Sequence, residues 1–290
     1  MDNKFNKRCL LCDGTLTKVA FPFFTKYNNR VFKYLKCSKC KSTCIHPIPD
    51  QNTFEKIYSK KNYHNIFYKN YNEKKYLNSV KYIKNYIHND ALFLDYGCGS
   101  GYFMRALDTY GYKSVGIDYD KKTILDLKKD FEAYTIDEFS ELNDRKFDVI
   151  HLGDTLEHTG DPVNLINNLL KKLSKKGLLF IEGPIERNLS LVNYCILFFG
   201  NLRNIFFPYM KRNHTPTHLF FVSLKSQISF FNQFENLTVI KYNVFETGWP
   251  YKNNGFVKNF IANIAIKIGG KSFLSSIFGN RINLILKNNE

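Results

Sequence analysis

The stretch "LDYGCGSG", Leu94 to Gly101, decides how the rest of the chain is read. It joins an apolar run that reads as a strand, Ala91 to Leu94, to a stretch that reads as a helix, Tyr102 to Tyr110. Glycines are costly to order, so Gly97, Gly99 and Gly101 imply a turn where bare backbone amides must approach something closely. The helix that follows adds its positive end. In an open parallel sheet, ligands bind outside the carboxyl ends of the strands, where this turn falls. Asp118 closes the next strand-like run, "SVGID", where a carboxylate can accept both hydroxyls of a ribose. Together these features describe a nucleoside site. A dinucleotide fingerprint would need its third glycine one residue later, where Tyr102 stands, and Asp95 would repel a pyrophosphate. The same carboxylate suits a ligand bearing a positive ammonium or sulfonium group.

Outward from this turn, strands alternate with helices: "ALFLDYG", a helix from Tyr102, "SVGID", a helix from Lys121, "EAYTI", "FDVIHL", a helix from Pro162 and "GLLFIEG". The pattern predicts a parallel sheet covered by helices on both faces, with a short irregular connection at "DEFSELNDRK". "NLTVIKYNVFE" and "RINLILKN" have no crossover after them and are expected to close the sheet as an antiparallel pair.

Toward the N-terminus, Cys9 and Cys12 form one Cys-x2-Cys knuckle and Cys37 and Cys40 a second, with strand-like runs between them. Four thiolates so spaced fit the corners of a tetrahedral zinc site, with Cys44 or His46 as an alternative to Cys40. Four protein ligands leave no open position, so the role expected of the ion is structural. So small a module needs that metal to hold its fold. Between it and Ala91, Tyr76, Val80, Ile83 and Ile87 share a helical face. Seven tyrosines from Tyr58 to Tyr86 read as packing or as stacking surfaces for bases or sugars.

The net charge of +16 lies mostly in the first third, where residues 1–90 carry 18 Lys and Arg against 6 Asp and Glu. That asymmetry suits an anionic partner or a merely solvated surface. The start "MDNKFNKRCLLCDG" carries no apolar secretory stretch, and the most apolar segment, Leu189 to Tyr209, is interrupted by Asn193, Asn201, Arg203 and Asn204. The expectation is a cytoplasmic protein without a membrane span, with peripheral contact at the inner face of the membrane as the alternative.

Asp95, Gly97, Gly99, Gly101 and Asp118, followed by "FDVIHLGDTLEHTGDPVNLINNLLKKLSKKGLLFIEGP", resemble the class I S-adenosylmethionine-dependent methyltransferases from Ala91 to about Lys287. The "HTPTHLFF" segment resembles a subgroup with an N-terminal zinc ribbon that methylates sugars, polyketides or surface glycans. The resemblance implies an α/β, Rossmann-like seven-stranded sheet, mostly parallel, with the last strand antiparallel. It divides the chain into a zinc-ribbon module (1–50), a helical linker or substrate cap (51–90) and a methyltransferase domain (91–290) with lid insertions at 186–217 and 250–280. It implies S-adenosylmethionine as cofactor, S-adenosylhomocysteine as product and a structural zinc ion. It also assigns Cys98, Tyr119, Leu152 and Gly153 to the cofactor site and brings Asp137 to the adenine.

A hydroxyl acceptor needs a base, and histidine suits neutral pH. His218 is the favoured base and His158 the second candidate, ahead of His151 and His214, while Glu157 and Asp154 position substrate or pin a loop. Phe256, Phe260, Ile264 and Ile268 place an apolar stripe on the second insertion, read as a lid packed on the core, a dimer contact or a bilayer-docking face. The expected acceptor is a small molecule or glycan, nucleotide- or lipid-linked. The alternatives are an rRNA or tRNA base held by the basic N-terminal module and a quinone or lipid-linked acceptor at the membrane surface.

Overall fold

The computed structural model describes residues 7–59, 73–208, 212–270 and 274–290. Tyr63, Tyr68, Tyr71 and Tyr209 of the patterns above lie outside the described residues. Two sheets organise the chain.

The larger sheet contains β4 (Leu92–Tyr96), β5 (Lys113–Asp118), β6 (Glu132–Thr135), β7 (Phe147–Gly153), β8 (Leu173–Pro184), β10 (Leu237–Phe245) and β11 (Arg281–Asn288). Their order is β10-β11-β8-β7-β4-β5-β6, with β4 to β8 parallel and β11 antiparallel to both neighbours. This is the predicted Rossmann-like methyltransferase sheet. The parallel strands are nearly continuous apolar runs because helices cover both faces. Val80 and Ile83 of α2 (Glu73–Ile83) are fully buried with Phe93, Phe103 and Phe180, and Tyr76 and Ile87 pack beside them, as the spacing predicts.

Helix starts follow their caps. α3 (Tyr102–Thr109) begins from Gly101 in the left-handed conformation. Asp120 accepts from the Thr123 amide at the start of α4 (Lys121–Leu127), and Asp161 caps α5 (Pro162–Leu170), whose first residue is proline. The segment "DEFSEL" forms a short 3-10 turn, Ile136–Leu142.

The smaller sheet runs β1 (Leu16–Tyr27), β2 (Arg30–Cys37), β3 (Thr43–His46) and β9 (Phe220–Phe221). Its fourth strand comes from the segment after the first insertion. Cys44 pairs with Phe220, and the Ile45 amide donates to the Leu219 carbonyl at 2.8 Å. The Cys-rich module therefore shares its backbone hydrogen bonds with the rest of the chain instead of ending at residue 50. α1 (Gln51–Tyr58), capped by Asp50, leads from this sheet to the mouth of the glycine turn.

The two insertions carry α6 (Leu191–Phe206), α8 (Phe256–Gly269) and the short α9 (Ser275–Phe278), with α7 (Leu224–Phe231) between them. α8 buries Ala262, Ala265 and Gly269, not the phenylalanine stripe, so it is not a lid packed by its largest side chains. Small residues on that side let the helix approach Gly248, where an added Cβ would lie 2.9 Å from the Ala262 Cβ. Among the described residues no helix is long and apolar enough to cross a membrane.

Candidate active site

The glycine turn folds back on the end of β5. The Gly97 and Cys98 amides both donate to the Ile117 carbonyl, at 2.7 and 2.9 Å. The Asp118 carboxylate accepts from the Gly99 amide at 2.9 Å and the Asp120 amide at 3.0 Å, which fixes both oxygens at the edge of the turn. Gly97, Gly99 and Gly101 all have positive φ. Gly97 has a second constraint, because an added Cβ would lie 2.2 Å from the Thr155 Oγ1.

Gly97, Gly99, Asp118 and Tyr119 open onto a cavity of about 290 Å³, walled opposite by Gln51, Phe54 and Tyr58 of α1 and closed by Asp154, Thr155 and His158. A small annex of about 30 Å³ lies against Asp95, Cys98, Gly153, His151 and Glu182. The bare glycine turn, the fixed Asp118 carboxylate and the acidic annex fit a nucleoside carrying a cationic tail. Asp95 is buried against His151, with Oδ1 2.8 Å from Nδ1, while His151 Nε2 lies 3.2 Å from Glu182 Oε2. Burial disfavours a charged His151, but hydrogen bonds to the two carboxylates outweigh it and raise its pKa to about 9. The imidazolium between them holds the annex at a net negative charge.

Other predicted cofactor residues separate. Gly101 packs against Leu127 and starts α3, while Leu152 is fully buried in the sheet and lines neither cavity. Asp137 is exposed, 3.3 Å from Lys121, on an outer pocket; its neighbour Ile136 is the residue that faces the cofactor cavity. The 3-10 turn at Ile136 sets that one-residue difference.

Beside His158, which lines the cavity, lie Glu157 and His218. His158 Nδ1 lies 2.7 Å from the Thr217 carbonyl, which can only accept, so Nδ1 carries the hydrogen and Nε2 the lone pair. Burial and the neighbouring His218 push the His158 pKa down to about 3, so it is neutral. His218 Nδ1 lies 2.6 Å from Glu186 Oε1; burial opposes its charge, but Glu186 wins and raises its pKa to about 9. Burial, then Asp154, raises the Glu157 pKa to about 8. Burial alone would raise that of Asp154, but Arg281 and Lys75, at 2.5 and 3.1 Å, hold it well below the usual carboxylate range. Glu157 is tied by its backbone carbonyl, which accepts from the Leu219 amide at 2.8 Å. Ligand atoms of Glu157, His158 and His218 lie within 4.8 Å of one another, a donor set that could also hold a metal ion.

Thr217 and His218 also line a second cavity, about 320 Å³, between the smaller sheet and the insertions. Phe21, Tyr34, Leu197, Phe221 and Trp249 give it mostly apolar walls, with Arg187 beside them. His214 is packed against Tyr34, and burial lowers its pKa. The pairings of His151, His218 and Asp154 with Glu182, Glu186, Lys75 and Arg281 have no signal in the sequence, whereas α1 falls in the 51–90 segment expected as a helical linker or substrate cap.

In the small sheet, sulfurs of Cys9, Cys12, Cys37 and Cys40 lie within 4.8 Å of one another, with Cys9–Cys40 and Cys12–Cys37 both at 3.6 Å. Ligands about 2.3 Å from a tetrahedral zinc would stand roughly 3.8 Å apart, so the set fits the ion. Cys44 approaches Cys9 at 3.7 Å but falls outside the four.

Residues 68–234 match the methyltransferase-domain family, and the chain belongs to it. In its sheet and glycine turn the chain has the fold of the class I S-adenosylmethionine-dependent methyltransferases. It is 28% identical over 187 residues to the ubiquinone biosynthesis O-methyltransferase of Pelagibacter ubique, covering 59% of this chain and 74% of that one. It is 28% identical over 113 residues to the same-named protein of Aliivibrio fischeri strain MJ11, covering 36% of this chain and spanning about half (48%) of the relative. Among solved structures, a chain of the complex between the Haloferax volcanii Trm112 methyltransferase activator and a methyltransferase has the same fold (TM-score 0.52, 13% identity, 75% and 92% coverage). A SAM-dependent methyltransferase from Archaeoglobus fulgidus aligns at TM-score 0.49 and 19% identity, covering 78% of this chain and all of that one.

Proposed function

We propose that this protein transfers a methyl group from S-adenosylmethionine to a hydroxyl of a small-molecule acceptor, with His158 as the base. The observation that carries this reading is the placement of His158, a neutral imidazole that lines the cofactor cavity with its Nδ1–H anchored on the Thr217 carbonyl and its Nε2 4.0 Å from Glu157 Oε1. When bound, S-adenosylmethionine supplies an electrophilic methyl on a positively charged sulfur. Asp118 holds the ribose hydroxyls, the bare backbone of the Gly97–Gly101 turn lets the nucleoside approach closely, Asp95 receives the cationic tail, and Phe54 and Tyr58 exclude water.

His218 was the favoured base in the sequence. Its pairing with Glu186 argues for the opposite duty, since a histidine that keeps its proton to about pH 9 donates. It orients the acceptor oxygen from the second cavity, while neutral His158 takes the hydroxyl proton as that oxygen gains its methyl. Positive charge is thereby moved onto the imidazole and not added to the cavity, which offsets the low intrinsic basicity of His158. Protonated Glu157 is the neighbouring hydrogen-bond donor that positions the acceptor. Zinc held by Cys9, Cys12, Cys37 and Cys40 fixes the small sheet, one wall of the acceptor cavity.

The apolar lining of that cavity favours an acceptor with an apolar or ring-shaped body, such as a lipid-linked glycan or a quinone precursor, over a nucleic acid base. The relatives' name supports oxygen as the methylated atom. Replacing His158 with Ala should lower turnover about 10²-fold or more, with the calorimetric affinity for S-adenosylhomocysteine unchanged. Unchanged turnover would remove His158 from the chemistry. Acceptors are screened with labelled methyl donor and mass analysis for a gain of about 14 Da.

A further inference from the structure

α6 and α8 pack against each other, and their outward sides are apolar. Ile205 is 72% exposed, Phe206 68%, Phe198 52%, Phe256 90% and Phe260 60%; Trp249, on the loop leading toward α8, is 57% exposed. Tyr194, Phe198, Leu202, Ile205 and Phe206 recur every three or four residues along α6, so this is a continuous stripe, not scattered side chains. Aromatic side chains on this scale facing water mark an interaction surface.

Charge indicates the occupant. The segments 187–234 and 247–289 contain no Asp or Glu, while Arg203, Lys252, Lys258 and Lys267 are exposed among the apolar residues. A second copy docked face to face would bring cation against cation with no carboxylate to compensate. An anionic lipid surface satisfies both features, because aromatic side chains enter the acyl boundary while lysines and arginines meet the headgroups. The acceptor cavity shares this face, since Leu197 and Trp249 line it.

We propose that the α6–α8 face docks onto an anionic bilayer, so that the acceptor cavity is fed from the lipid side. The feeding direction rests on the methyl-transfer reading; the docking does not, and it is measured without acceptor or cofactor. Trp249 is the only tryptophan in the chain, which makes the full-length protein its own probe. At low salt it should sediment with vesicles of phosphatidylcholine and phosphatidylglycerol, and Trp249 emission should shift to the blue. The double variant Phe198→Glu, Phe256→Glu should bind these vesicles at least about tenfold more weakly while keeping its affinity for S-adenosylhomocysteine, which verifies its fold. Failure of the wild-type protein to sediment would overturn the proposal, as would equal binding by the double variant or an unshifted Trp249. A dimer in light scattering that the double variant abolishes, without vesicle binding, would assign the face to a second copy and overturn it equally. Loss of methyl transfer with vesicle binding intact would count against the catalytic reading alone.

Discussion

The cofactor side and the acceptor side of this site are built by different means. On the cofactor side the working groups are the bare backbone of the glycine turn and two carboxylates, Asp95 and Asp118, all within Asp95–Asp120, positioned by left-handed glycines and the end of β5. On the acceptor side they are the side chains of Glu157, His158, Glu186 and His218, with β1, β2, α6 and β9 lining the cavity, held by contacts between residues far apart in sequence. A site made of backbone tolerates few residue types, whereas a site made of distant side chains can change its substrate without changing its fold. The sharpest break in this comparison is Gly97→Val. Its φ of +84° and the 2.2 Å approach to Thr155 leave no room for a Cβ, so calorimetry should detect at least a 10²-fold loss of affinity for S-adenosylhomocysteine. Retained binding would mean that the turn is not the cradle.

The next largest effect should fall on the acceptor side alone. Cys12→Ser removes one thiolate of the four and weakens the sheet that β9 completes. Bound zinc, measured by metal analysis, should fall from one equivalent, and turnover should drop by about 10²-fold or more. Cofactor affinity should fall less than about tenfold, because α1 walls that cavity but supplies neither the glycine turn nor Asp118. Equal loss of both would show that the two sides are not separable.

This asymmetry also explains what the sequence could reveal. The Gly97–Gly101 turn, Asp118, the strand-helix alternation and the antiparallel β10–β11 pair are set by local patterns, and each stands where its residues indicate. The second Cys knuckle is equally local, and Cys40, not Cys44, completes the four. Asp137 lies one position away from the cavity because a 3-10 turn changes which side chain points inward, a shift no periodicity announces. The role of His218 depends on Glu186, 32 residues away, and that of His158 on the Thr217 carbonyl, 59 residues away. Histidine identity alone is compatible with donor, base or ligand, and only the partner decides.

That dependence on a partner can be tested directly. In Glu186→Gln, the carboxylate that keeps His218 protonated becomes a neutral amide of similar shape. The His218 pKa should then fall from about 9 toward the ordinary imidazole range or below it, since burial is no longer opposed. The alkaline limb of the kcat/KM profile, set first by Glu157 near pH 8, should move down by about one pH unit, with the maximal rate reduced less than in His158→Ala. An unmoved limb would separate His218 from the acceptor step.

The smallest effect concerns stability on the cofactor side. His151 has its folded pKa raised to about 9 by Asp95 and Glu182, above the unfolded value of about 6.5. Below that unfolded value the protonated ring contributes its full stabilisation, which is lost as pH rises through 9, because the unfolded chain then gives up its proton more readily than the native one. Glu157, raised to about 8 by burial and Asp154, acts in the same sense, since its ionisation is disfavoured only in the folded chain. Asp154, held low by Arg281 and Lys75, works at the acid end, where its contribution disappears as pH falls. The melting temperature should therefore decline by several degrees between pH 6.5 and 9.5. His151→Asn should start lower and show a shallower alkaline decline, with His218 and Glu157 supplying what slope remains. A wild-type curve flat across that interval would mean that the imidazole between Asp95 and Glu182 is neutral, and that the annex carries both negative charges uncompensated.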